Sequence, residues 1–252
     1  MTVQRPVLVT VTATRPLTPR LTRVTFAGDD LEQFAYEGPD QLVRLFLPNE
    51  HGAELALPVT TDWWNELCAL PESIRPVVRN YTVRRFDRDE RELDIDFVLH
   101  DHNAGPGSAW AATAAIGQKV GMLSDGADYA PPADTDWQLM VGDESSLPAV
   151  AAILESLSPT TKAVVLIEVA DEQDELPLTV PPNVTLAWLH RGDTHRRGAL
   201  ALADLKARDL PHGRPYAWVA GESKLATGVR RHLVNDRGVA KNRIYFCGYW
   251  RA

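Results

Sequence analysis

The sequence predicts two domains of different class, a small antiparallel β-barrel followed by an α/β domain built on a parallel sheet. Three observations predict it. The first half of the 252 residues is a series of short β-branched runs closed off by proline, asparagine and charged turns. The second half alternates strand-like and helix-like runs, the pattern of a parallel sheet with helices on its faces. Between the halves lies Pro131-Pro132-Ala133-Asp134, which reads as a linker and divides the chain into residues 1–130 and 131–252.

In the first half, residues 7–14 and 21–27 are alternating and β-branched, and Pro16 and Pro19 break them into two strands. Residues 42–47 make a third strand, stopped by Pro48 and Asn49, and 49–54 a polar loop in which His51 is exposed. Asp62 is placed to cap a short helix ending at Leu70, with Trp63 and Trp64 packing it on the barrel. Residues 81–86 and 93–99 are strands around the charged turn 87–92, and 119–123 is a further strand. Ahead of that last strand, Gly105-Pro106-Gly107-Ser108 opens an alanine-rich helix. Such a junction presents free N–H groups with no side chain in the way; it is either an anion cradle or a plain helix start.

In the second half, strands are predicted at 138–141, 163–169, 184–189, 217–220 and 244–246, and helices at 147–155, 199–208 and 224–236. Ligands of such sheets bind beyond the carboxyl ends of the strands. Two strand ends carry suitable loops, Gly142-Asp143-Glu144-Ser145-Ser146-Leu147-Pro148 and Ala220-Gly221-Glu222-Ser223-Lys224. Neither is a Gly-x-Gly-x-x-Gly fingerprint or a Gly-Lys-Thr phosphate loop. The acidic run 171–175 reads as a solvated loop.

A net charge of −8 argues against a general binder of nucleic acid or of anionic membranes. The two cysteines, Cys68 and Cys247, form no Cys-x-x-Cys pattern, so no iron–sulfur cluster or Cys-rich zinc site is offered, and both are expected as thiols. No long apolar run opens the chain, and Arg5 and Pro6 interrupt it. A signal peptide and a spanning helix are therefore not expected; a cytoplasmic monomer is.

The stretch Arg79-Asn80-Tyr81-Thr82 brings a guanidinium, an aromatic face and a hydroxyl within four residues. In a strand Arg79 and Tyr81 share one face, Asn80 and Thr82 the other. An Arg fork suits a phosphate and an aromatic ring a planar ligand; an exposed strand bearing an Arg would read the same way.

Taken together, Arg79-Asn80-Tyr81-Thr82, His100 with Gly105-Pro106-Gly107-Ser108-Ala109-Trp110, the Gly142–Ala149 loop, Trp218-Val219-Ala220-Gly221-Glu222 and the terminal Gly248-Tyr249-Trp250-Arg251 stand in an order and spacing that resembles the siderophore-interacting proteins. These are ferric-siderophore reductases of the vibriobactin-utilisation type, within the ferredoxin-reductase-like superfamily. The resemblance covers nearly the whole chain. It implies a six-stranded N-terminal barrel that binds FAD, a C-terminal NAD(P)H-binding domain, and a C-terminal segment that returns towards the flavin. It further implies that electrons pass from NADPH or NADH through FAD to Fe(III) in a siderophore, with ferredoxin as another donor. No side-chain acid, base or nucleophile is then required, and no protein-bound metal. Two other functions are compatible with these motifs: a general flavin reductase, and a non-catalytic protein that binds flavin or siderophore.

By position, the resemblance implies that Arg79 grips the flavin pyrophosphate, Tyr81 packs on the isoalloxazine, Thr82 bonds near its N5 edge and Val83 adds backbone contacts. His100 and His102 approach the ribose or adenine end. Gly107, Ser108 and Ala109 supply donors to the pyrophosphate, supported by Trp110. Asp143, Glu144, Ser145 and Ser146 face the nicotinamide dinucleotide through backbone and hydroxyl groups, or else cap the helix near Pro148. Ala220, Gly221 and Glu222 lie near the nicotinamide. Lys224, with His190, Arg191 and Arg196, is a candidate selector of a 2′-phosphate. Trp250 borders the flavin and Arg251 meets an anionic iron chelate; Arg44, Arg75, Arg84 and Arg230 are further basic candidates that equally read as solvated or structural. Relatives lacking a longer C-terminal extension take electrons directly from NAD(P)H, which favours that donor.

Overall fold

The computed structural model describes residues 5–49, 55–100, 104–192 and 196–252. They form two compact units, Met1–Ala127 and Asp128–Ala252. Among the described residues no helix is long and apolar enough to cross a membrane.

The first unit is an antiparallel sheet of β1 (Val7–Thr18), β2 (Leu21–Ala27), β3 (Leu42–Leu47), β4 (Val77–Thr82), β5 (Arg85–Asp87), β6 (Glu92–Val98) and β7 (Lys119–Gly126), in the order β4-β3-β7-β1-β2-β6-β5. Two short helices accompany it, α1 (Trp63–Ala69) and α2 (Pro106–Ala112). Alternation sends Val9, Val11, Val24, Phe26, Leu45, Ile95, Phe97 and Met122 into one core. Each such side chain contributes about 1.5–3 kcal/mol by leaving water. On the other face, Arg23 holds Asp96 through two bonds of 2.7 and 2.9 Å, and Arg85 holds Asp94 at 2.9 Å.

Two strands differ from expectation. β1 runs through Pro16 to Thr18, and the turn falls at residues 19–20. A register shift between Pro16 and Thr18 accommodates the proline, which has no N–H to give the ladder. The run expected as one strand from Tyr81 begins earlier, at Val77, and breaks at Val83–Arg84. There the Val83 N–H donates to the Gln41 carbonyl and the Arg84 N–H to the Asp94 carbonyl, both at 2.8 Å. One continuous stretch of chain thus passes from the β3 edge of the sheet to the β6 edge. The sheet wraps on itself through this covalent link, and a predicted six strands become seven.

The second unit contains β8 (Trp137–Asp143), α3 (Leu147–Ser156), β9 (Ala163–Val169), β10 (Val184–His190), α4 (Ala199–Ala207), β11 (Pro215–Glu222), α5 (Ser223–Asn235) and β12 (Ile244–Trp250). All strands are parallel, in the order β10-β9-β8-β11-β12. The chain walks outward from β8 to β10, then returns to the opposite side of β8. The order therefore reverses between β8 and β11, where ligands of such sheets bind. The terminal aromatic residues are not a loose tail: Tyr249 and Trp250 belong to β12 and are half-buried, with Trp250 in register with Glu222. Cys247 sits half-buried in this edge strand rather than in the core; it and the exposed Cys68 are both free thiols.

Candidate functional sites in the two units

In the first unit, β4 pairs with β3 so that Tyr81 stands opposite Val43 and Arg79 opposite Leu45. Tyr81 shares that core-facing side and rests its ring 4.3 Å from the ring of Phe97. Burial pushes its phenol up to about 12, with the nearby Arg79 charge opposing, so the hydroxyl keeps its proton at ordinary pH. The same hydroxyl lies at the start of α2: a Cβ added to Gly107 would collide with it. Arg79 is exposed, and the Val78 carbonyl accepts from it at 2.7 Å; among the described residues no carboxylate pairs with it. Ser108 is buried and its hydroxyl accepts the His100 N–H at 3.0 Å. Ala109 is exposed. Trp110 packs on Phe26 and Phe97, and its indole N–H is buried without a partner among the described residues. Thr82 and Val83 are buried at the end of β4. His102 lies outside the described residues.

A guanidinium with no carboxylate partner among the described residues, a protonated phenol and a glycine that leaves the backbone open present donors here. That suits a diphosphate, while the open indole N–H of Trp110 marks a polar contact that no described residue completes. The residues of this unit therefore fit FAD.

In the second unit the loop after β8 bonds both to itself and to the ends of β11 and β12. Asp143 is fully buried; its Oδ1 accepts from the Ser145 N–H at 2.9 Å and the Ser145 hydroxyl at 2.6 Å. Its Oδ2 accepts the Glu222 N–H at 2.6 Å and the Trp250 indole N–H at 3.1 Å. Burial, then the neighbouring Glu144 charge, pushes the Asp143 carboxyl up to about 6. Ser146 occupies the N-cap of α3, and its hydroxyl donates to the Asp143 carbonyl at 2.9 Å. Both serine hydroxyl protons are thus engaged inside the loop, and neither carboxylate caps α3.

Glu144 instead meets Arg191 at 3.0 and 3.2 Å and Arg197 at 3.2 Å. Arg191 is buried and also donates to Glu168 at 3.1 Å. Glu168, fully buried at the end of β9, accepts the Gly198 and Ala201 N–H groups at 2.7 and 3.0 Å and so anchors the start of α4. Arg191 is therefore occupied by two carboxylates, and His190 pairs with Glu175 at 2.7 Å. Neither is free for a 2′-phosphate; Arg196 and Lys224 remain exposed. Arg197 and Glu168 escaped the sequence reading. The one signal for Glu168 was a charge inside an otherwise apolar strand; nothing distinguished Arg197 from Arg196.

Glu222 ends β11 and caps α5. Gly221 before it has φ 139°, and a Cβ there would lie 2.7 Å from the Asp143 carboxyl carbon, so glycine is required. Ala220 is buried in the sheet. Arg197 stacks on Trp250 at 5.1 Å, and Arg251 is exposed beyond β12.

Comparison with known proteins places each half of the chain in a family. Residues 10–129 match the siderophore-interacting FAD-binding domain and residues 135–252 the siderophore-interacting protein family. The chain is 34% identical over 233 residues to ferric vibriobactin reductase ViuB of Vibrio cholerae, covering 92% of this chain and 84% of that one. It is 30% identical to the NADPH-dependent ferric-chelate reductase of Escherichia coli, covering 91% and 87%. A solved siderophore utilization protein from T. fusca superposes with a TM-score of 0.84 at 34% identity, covering 98% and 93%. A ferredoxin reductase of carbazole 1,9a-dioxygenase, at 16% identity and a TM-score of 0.72, shares the fold alone. The chain belongs to the siderophore-interacting protein family and is an FAD-binding oxidoreductase.

Proposed function

We propose that this protein is a ferric-siderophore reductase that takes electrons from NADPH or NADH and delivers them to Fe(III) held by a siderophore. The reading rests above all on one coincidence: the FAD-binding match over residues 10–129 falls on the unit that holds the Arg79–Tyr81–Gly107 cradle. Its likeness to a ferric vibriobactin reductase and to an NADPH-dependent ferric-chelate reductase supports the substrate and the donor.

Bound FAD supplies the exchange between a two-electron donor and a one-electron acceptor. The chain's own residues bind and orient. Arg79 and the Tyr81 hydroxyl hold the pyrophosphate, and Gly107 lets the backbone approach it. The Tyr81 ring offers an apolar face to the flavin. In balance, one NAD(P)H and two Fe(III) give NAD(P)⁺, one proton and two Fe(II). Oxygen chelators hold the harder Fe(III) better than Fe(II), so reduction releases the metal. Arg251, exposed and without a carboxylate partner among the described residues, is suited to an anionic chelate.

The test is an anaerobic titration. The purified protein shows a flavin spectrum, NADPH or NADH bleaches it, and a ferric siderophore restores it. A flavin spectrum that neither nucleotide bleaches overturns the donor; a bleached spectrum that free flavin restores but ferric chelates do not overturns the substrate. Arg251→Ala is expected to raise KM for an anionic ferric chelate about tenfold without releasing FAD; an unchanged KM removes Arg251 from the chelate site.

A further inference from the structure

Strand β12 ends the order β10-β9-β8-β11-β12, so among the described residues only β11 pairs with it. Its outer row of N–H and C=O groups is a template for a further strand, and proteins usually blunt such an edge with lysine, proline or an inward charge. The strand Ile244-Tyr245-Phe246-Cys247-Gly248-Tyr249-Trp250 carries none of these. A register shift leaves Tyr249 unmatched between Gly221 and Glu222, so the regular ladder runs from Ile244 to Gly248. Along it Phe246 is 41% exposed, and Gly248 is exposed as well.

Charge narrows what fits there. The whole chain has 34 acidic residues against 26 lysines and arginines, yet from Ser223 to Ala252 seven basic residues meet a single acidic one, Asp236. That one is taken by His232 at 2.8 Å. Arg230 and Arg231 of α5 have no carboxylate partner among the described residues, and Arg230 lies over the Phe246 ring at 4.7 Å. On the opposite face of β12, Tyr245 stacks on Trp218 at 5.9 Å, and the Asp128 carboxylate bonds the Tyr245 hydroxyl. The α5 side of the edge therefore attracts carboxylates, whereas the side of Tyr245 and Cys247 repels them and offers apolar surface. Successive side chains of a strand point to opposite faces, so a segment that suits both sides alternates acidic with apolar residues. An anionic lipid surface answers the arginines but not the open backbone row.

We propose that the β12 edge of the second unit is a docking site for an extended segment of another protein, one in which acidic and apolar residues alternate. The segment adds a sixth strand to the five of the sheet. Main-chain bonds along Ile244–Gly248 hold it, its carboxylates turn to Arg230 and Arg231, and its apolar side chains cover Tyr245 and Cys247. The site runs along the side of the sheet rather than at the carboxyl ends of its strands, and it depends on neither the electron donor nor the iron chelate.

The probe is the heptapeptide Glu-Val-Glu-Val-Glu-Val-Glu, carrying a dye that absorbs to the red of flavin and titrated with the FAD-loaded protein by fluorescence anisotropy at low salt. Two further peptides each keep one feature. Lys-Val-Lys-Val-Lys-Val-Lys keeps the strand, and the acidic peptide methylated on every backbone nitrogen keeps the charge. Both are expected to bind at least about tenfold more weakly. The variant Arg230→Glu/Arg231→Glu is expected to lose about tenfold for the acidic heptapeptide; the three peptides on the unaltered protein decide the matter if that variant does not fold. Amide exchange then locates the site, with slowing expected at residues 244–248. No binding of the acidic heptapeptide, equal binding of its methylated form, unchanged affinity in a folded variant, or slowing confined to other strands overturns the proposal. Phosphatidylserine vesicles that displace the heptapeptide overturn it too, and assign the surface to lipid.

Discussion

The two units each place a glycine beside a helix start where no Cβ fits, and they use that same device for opposite ends. At Gly107 the missing side chain makes room for the Tyr81 hydroxyl, and Arg79 lies nearby with no carboxylate among the described residues to answer it. At Gly221 it makes room for the Asp143 carboxylate, and the helix N–H groups beyond are already taken by Glu222. The first junction presents donors and the second presents acceptors. A strand–helix junction is therefore not a phosphate site by virtue of its backbone alone; the side chain at the cap decides which charge it receives.

Breaking the acceptor side most severely means removing the cation beneath it. Arg191→Met leaves Glu168 buried without its cation while Glu144 keeps Arg197, a loss of about 3–5 kcal/mol for a broken buried pair. Thermal melts are expected to show the second unit unfolding first while FAD stays bound. A loss under about 1 kcal/mol would mean that the network does not hold the ends of β9 and β10. On the donor side, Gly107→Val forces a side chain against the Tyr81 hydroxyl and is expected to weaken FAD binding about 100-fold, as overpacking by about 1–3 kcal/mol implies. Unchanged FAD affinity would move the cofactor away from the seam between β4 and α2. Arg79→Ala is smaller: about tenfold in FAD affinity, shrinking further as salt screens the exposed charge, with no change in melting. Equal retention of FAD at low salt would deny Arg79 its pyrophosphate.

How much of this was legible in the sequence differs between the units for a physical reason. Strands of a parallel sheet are buried on both faces and read as apolar runs, so β9 falls on Ala163–Val169 as the sequence predicts. The break at Val83–Arg84 was not legible, because bonds from distant Gln41 and Asp94 impose it. That Tyr249 and Trp250 belong to a strand was not legible either, because nothing local reveals that β11 offers an edge to pair with. At the sites, glycines and the Arg79–Tyr81 pair announced themselves by residue type. The pairing of Arg191 with Glu168 and Glu144 did not, because a strand residue and two loop residues far apart in sequence meet only through the strand order. An arginine after a strand looks the same whether it faces a phosphate or a buried carboxylate.

The smallest effect sharpens the comparison through pH. The Asp143 carboxyl lies near 6 in the folded chain, against about 3.9 for an ordinary aspartate. Because the folded state holds the proton more tightly, this group weakens the fold most above pH 6, and that cost is relieved as pH falls from about 7 towards 4. The stability of the wild type relative to Asp143→Asn is therefore expected to rise on acidification, by at most about 1.4 kcal/mol per pH unit. A difference that stays flat, or falls, between pH 7 and 5 would place the Asp143 titration elsewhere. Protonation also adds a hydrogen to a carboxylate whose Oδ2 already accepts two. The longer of those bonds, 3.1 Å to the Trp250 indole against 2.6 Å to the Glu222 N–H, is the one expected to yield. The emission of Trp250, isolated by difference against Trp250→Phe, should then shift with a midpoint near 6. The donor cradle has no counterpart to this transition: the Tyr81 phenol, pushed up to about 12 by burial, keeps its proton throughout. Acidification to pH 5 should thus alter the switch point of the second unit and leave FAD retention in the first unchanged.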